Sequence, residues 1–464
     1  MKQNILTLLL FTATFSLFGQ SGVNFRLQFS EPYAVYDFLG KISENYPDNE
    51  LKSIFLQSTY NTESNIRKIA EFEQLAIDYS YFYRQYPQPL KSGVMIRDLL
   101  EKNLAVSQTV DEFRNRSIGL IPNDILYTFS GILETFLPIY HELIYLPNKD
   151  AIAIQDHNLR NYIDKGMFAD YFQAGLVFYN TVWDQKIPFE VNLLPSLDKD
   201  NLGARAFFNV AVCEAPLGST DHKSLFSVAM HEIYHTIYDN QSLEMKSNIQ
   251  KWFDDTNSLN SQYALLLMNE VLATALGNAY IMEQLNGKIE EDDWYANSYI
   301  SGMAKEIYPT VKEYIKSRKP MDEAFVKIYV GLYDKKFPQW NKELDHILTY
   351  RYIVADTSDD WKYIRRTFRY YSNSRMAAPI DITQIEKANE LPITKVFIVS
   401  KDHEKTLNLL KGRYDVLKNK KLNFAKEFIE VFDLPDRTKL FIINRHKSTV
   451  EQLMVKYFPD KVIK

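Results

Sequence analysis

Residues 224–240 read SLFSVAMHEIYHTIYDN and contain a spacing that specifies a chemistry: His231, Glu232 and His235 spell H-E-x-x-H. On an α-helix, positions i and i+4 project from one face. Two imidazoles so placed can grip a single metal ion, and the glutamate beside the first can reach a water on that metal. With eight histidines in 464 residues, this spelling arises by accident in roughly one chain in a hundred, so context has to add weight. The context is helical. Leu225, Phe226, Ala229, Ile233 and Ile237 form an apolar stripe, and no proline or glycine interrupts residues 222–240.

A catalytic zinc takes three protein ligands and keeps one position open. Glu270 lies 35 residues after His235, inside the apolar run ALLLMNEVLATALGNAYIM at 264–282. A carboxylate among Leu265, Leu266, Leu267, Met268, Val271 and Leu272 is costly to bury unless it meets a cation or strong donors. Ala273, Thr274 and Gly277 on its own side are small enough to let another helix approach. A buried Glu270 facing the histidine pair would complete a His2Glu set. The run approaches membrane-spanning length, but Asn269 and Glu270 at its middle argue for a buried helix of a soluble domain.

HEIYH (231–235) followed by NEVLAT (269–274) resembles the gluzincins, zinc metallopeptidases with two ligands in H-E-x-x-H and a glutamate on a downstream helix. The resemblance spans residues 185–285 and implies a zincin-like catalytic core. It implies one zinc per chain on His231, His235 and Glu270, and Glu232 as the base that takes a proton from water and passes it to the leaving amine. The asparagine that often precedes the ligand glutamate is present as Asn269. Thermolysin-like enzymes carry an aspartate four residues after that glutamate, where this chain has Thr274. The G-A-M-E-N signature of the large aminopeptidase family is absent. An oxyanion donor is expected downstream, with Tyr308, Tyr329, Tyr333 and His346 as open alternatives. ARAFFNVAVCEA, just upstream, is read as either a substrate-pairing edge strand or an interior strand.

These residues must be positioned by an α+β, predominantly helical chain. VNFRLQF reads as a strand and EPYAVYDFLGKISENY as a helix, and residues 51–150 show helical spacing. GLVFYNTVW, IPFEVNLLP and ARAFFNVAVCEA read as strands, and residues 296–375 return to helix. KVFIVS and KLFIIN, with their flanking helices, make a small α/β unit. The expected organisation is a signal peptide at 1–20, a helical region at 21–150, a zincin-like domain with a helical extension at 151–377, and a C-terminal α/β domain at 378–464.

Lys2 followed by an apolar core from Ile5 to Phe18 reads as a secretory signal cleaved near residues 19–22. Export to the periplasm or the medium is therefore expected. The single Cys213 permits no intrachain disulfide, and no cysteine follows the signal, so neither a lipoprotein anchor nor a stable membrane anchor is expected. Net charge is −5 with no arginine-rich tract, which argues against nucleic acid as partner. The leading expectation is a zinc metallopeptidase acting on peptide or protein. The rivals are a non-catalytic exported binding protein, its aromatic residues spread evenly, and a metal-dependent hydrolase of a non-peptide substrate. His141, His157, His222, His403 and His446 read as ordinary polar residues, and Cys213 as a small buried one.

Overall fold

The computed structural model describes residues 23–87, 93–165, 167–198, 202–369 and 373–464; the expected signal peptide lies outside them. The protein is mixed α/β and 54 % helical, well above the usual third, in keeping with the helix-rich reading. The chain opens with β1 (Phe25–Gln28), and a helical region follows that includes the short hairpin of β2 (Ser80–Phe82) and β3 (Gly93–Met95). Next come β4 (Phe189–Ser196), β5 (Gly203–Phe207) and β6 (Val210–Pro216), which join β1 in a sheet of order β1-β4-β6-β5. β1 is parallel to β4, so the region drawn as 21–150 contributes a strand to the sheet beneath the histidine helix.

Alternation along the strands builds two cores. Leu194, Val210 and Val212 face one way, against Phe38, Phe113, Phe129 and Phe136 of the N-terminal helices. Val191, Leu193, Ala211 and Cys213 face the other way, against the histidine helix and its neighbours. The sheet therefore lies between a helical layer and the candidate site. GLVFYNTVW at 175–183 is expected as strand; instead its GLVF ends the helix Met167–Phe178, and Tyr179 and Asn180 form a turn. Its Gly175 is the reason: a Cβ there would lie 2.6 Å from Tyr234 Cε1 of the histidine helix, so close helix packing overrides β propensity.

The second sheet has order β10-β11-β9-β7-β8, from β7 (Tyr350–Ala355), β8 (Asn373–Ala377), β9 (Thr394–Val399), β10 (Phe428–Asp433) and β11 (Lys439–Asn444). It begins at Tyr350, upstream of the boundary drawn at 378. YRYIVA reads as a continuation of the preceding helices, yet all six residues are buried strand, the signature of a parallel strand covered on both faces.

Candidate metal centre

The histidine helix runs His222–Asp239, and its N-cap Asp221 accepts a hydrogen bond from the Ser224 N–H at 3.0 Å. The expected stripe Leu225, Phe226, Ala229, Ile233 and Ile237 is buried throughout. Glu270 is on the next long helix but one, Ser261–Ala273, which continues through a π-helical stretch Thr274–Ile281 into Met282–Asn286. Residues 261–286 are long and apolar enough to cross a membrane, but 67 % of their most apolar window is buried inside the protein. π turns inside α-helices are frequent at functional sites. Here the π stretch lies against the histidine helix. A Cβ on Gly277 would come within 2.6 Å of His231 Cα, so only glycine permits this approach. The Ser227 hydroxyl seals the contact, donating to the Gly277 carbonyl at 2.9 Å.

That approach brings the three expected ligands together. Nε2 of His231 and Nε2 of His235 are 3.1 Å apart. Glu270 Oε2 lies 3.7 Å from the first and 3.5 Å from the second. Donor atoms on a tetrahedral zinc with bonds of about 2.0–2.1 Å are separated by roughly 3.3 Å, so this triangle fits the ion. The two carboxylate separations are too long for good hydrogen bonds, and Glu270 Oε2 is buried without a hydrogen-bond partner. His235 Nδ1 donates to Asn269 Oδ1 at 2.9 Å, which keeps its proton on Nδ1 and turns Nε2 toward the other ligands. His231 Nδ1 is buried and unpaired, as is the hydroxyl of Thr274, the residue standing where thermolysin-like enzymes carry aspartate.

The electrostatics follow from this packing. Burial would raise Glu270, but the two imidazoles overrule it and hold the carboxyl well below its usual range. Burial would lower His235, but the Glu270 charge dominates and pushes it up to about 10. Glu232, with a carboxylate oxygen within 4.8 Å of a ring nitrogen of each histidine, is raised by burial against the pull of His235 and His231, and it accepts the Ala206 N–H of β5. β5 is a sheet edge, while β6 is interior, so ARAFFNVAVCEA supplies one of each.

The four oxyanion alternatives lie elsewhere. Tyr333 shares a 2.7 Å hydrogen bond with His346 in the core, where burial drives His346 down to about 3. Tyr329 is fully buried against Phe253, and Tyr308 donates to Glu283. The aromatic ring beside the ligands is Tyr295, stacked on His231 at 5.7 Å with planes 19° apart. Nothing in EEDDWYANSY singled it out. The even spread of aromatics along the sequence also misleads, because Tyr79, Tyr81, Phe82 and Tyr83 gather exposed at the β2–β3 hairpin.

Comparison with protein-family models, with curated proteins and with solved structures finds no match to this chain, so the case for its chemistry stands on the geometry of its own residues.

Proposed function

We propose that the protein is an exported zinc-dependent metallopeptidase with a zincin-like core. The convergence of His231 Nε2, His235 Nε2 and Glu270 Oε2 at 3.1, 3.5 and 3.7 Å carries the reading. These three residues would hold the metal. Zinc, when bound, supplies a Lewis acid that polarises a carbonyl and acidifies a water.

The remaining work belongs to the chain. Glu232, raised by burial, is suited to accept a proton from the attacking water on its carboxylate and hand it to the leaving nitrogen. The Ala206 N–H orients that carboxylate. The Tyr295 ring, stacked on His231, forms an aromatic wall beside the ligands. A peptide substrate is favoured by β5. Its two-residue connection to β6 makes Phe207–Val210 the closing hydrogen-bonded pair, so Ala204 turns its N–H and carbonyl, and Ala206 its carbonyl, to the free edge. An extended peptide can pair there.

The test is metal analysis of the exported protein together with cleavage of an unfolded protein substrate. About one zinc per chain, with cleavage that a chelator stops and zinc restores, is expected. Protein that neither retains nor recruits zinc would end the proposal.

A further inference from the structure

The N-terminal helices, β1 and the β5–β6 loop line a cleft of about 650 Å³. Its walls carry Arg26 from β1, Lys102 from the helix Ile96–Ala105, Arg116 from Val110–Ser117 and Arg160 from Leu146–Asp164. These come from four separate elements and do not form the solvated stripe of a single helix. Glu190 is the one carboxylate among the lining residues.

Arg26 lies 3.6 Å from Glu190, and Arg160 lies 3.2 Å from Asp156 outside the cleft. Lys102 and Arg116 have no carboxylate at salt-bridge distance among the described residues. Lys102 lies over the Phe208 ring at 5.7 Å, and burial together with the Arg116 charge lowers its pKa. Four cations have been brought together here around one protein anion, Glu190, whose carboxyl feels both Arg26 and Arg116.

We infer that this cleft binds a small anion bearing two or more negative charges on phosphate or carboxylate groups. Guanidinium groups match both geometrically, and Lys102 adds a point charge. Such an anion would join β1, the helical layer and, through Asn209, the β5–β6 loop. The inference does not depend on zinc.

Calorimetric titration of the full chain with inorganic phosphate and with succinate, both weak metal ligands, tests it. Sodium chloride at equal ionic strength is the reference. Saturable binding of either dianion that weakens with salt is expected, and the tighter of the two identifies phosphate or carboxylate as the preferred group. Arg116→Glu, at an exposed position, should keep the melting temperature of the free protein and weaken binding at least about tenfold; Lys102→Ala should weaken it in the same direction. Absence of saturable binding, or binding unchanged in both variants, overturns the inference.

Discussion

His231 and His235 meet with ring centroids 4.8 Å apart and planes at 81°, whereas His403 and His446 in the C-terminal sheet unit stack at 3.8 Å with planes at 29°. Each pair has an asparagine acceptor and a glutamate nearby. In the second pair every partner is already used. His403 Nδ1 donates to Asn444 Oδ1 at 2.8 Å, and His446 Nε2 donates to the Phe424 carbonyl at 2.9 Å. Glu427 accepts the N–H groups of His446, Lys447 and Ser448 and the Ser448 hydroxyl, and those donors, the Ser448 hydroxyl first, hold it down at about 2. In the first pair the nitrogens converge on one another and on a carboxylate oxygen that no donor satisfies. What sets the first pair apart is that its two Nε2 atoms and a carboxylate oxygen without a hydrogen-bond partner face one point.

The largest expected effect tests the chemistry of the first pair. Glu232→Gln preserves shape and hydrogen bonding but cannot take a proton, so turnover should fall about 10²–10⁴-fold while zinc content and melting temperature hold. Full activity in this variant would make Glu232 a bystander and H-E-x-x-H an accident of spacing.

Next comes the contrast itself. Glu270→Ala, His231→Ala and His235→Ala should each lower zinc affinity by more than the roughly 10–100-fold typical of an outer partner. His403→Ala and His446→Ala should leave it untouched. Zinc retained in Glu270→Ala, or lost in His446→Ala, would erase the distinction. The asparagines refine it. Asn269→Ala should weaken zinc about 10–100-fold by freeing the His235 ring. Asn444→Ala should leave zinc alone and lower stability by about 1–3 kcal/mol, because it strips a partner from His403. Competition with a chelating dye and denaturant titration read these two outcomes separately.

How much of this contrast was legible beforehand depended on the interaction involved. H-E-x-x-H is legible because helical periodicity fixes which side chains share a face. Glu270 is legible because a carboxylate in an apolar run needs a partner. Asn269 was marked only through the resemblance, and its pairing with His235 emerges when the two helices pack together. Tyr295, the Ala206 N–H and the π turn at Thr274 are set by how a loop, a strand edge and a second helix close around the first, and local spacing carries no trace of them. The misreadings have the same origin. Tyr350–Ala355 is strand because it pairs between β9 and β8 in a sheet covered on both faces, and 175–178 is helix because Gly175 must pass Tyr234.

The smallest expected effect is graded with pH, and it follows from the signs. In the metal-free protein Glu270 raises His235 to about 10, so the ring keeps its proton through the neutral range. Zinc requires the neutral ring, and loading must therefore expel that proton. Apparent zinc affinity should rise about tenfold per pH unit from roughly 6 to 9, whereas with an unperturbed histidine the rise would level off above about pH 6.5. The same shift makes a stability prediction. A group whose folded pKa is raised stabilises fully below its unfolded value, near 6.5, and that contribution is lost as pH climbs toward 10. Glu270, held low, contributes above about pH 4.5 and loses its contribution as pH falls. Metal-free protein should accordingly lose melting temperature between pH 6.5 and 10. Zinc-loaded protein, its His235 already neutral, should not decline on this account. Melting curves with and without chelator across that range decide it. Parallel pH profiles for the two forms would mean that the proton on His235 and the metal do not compete for one site.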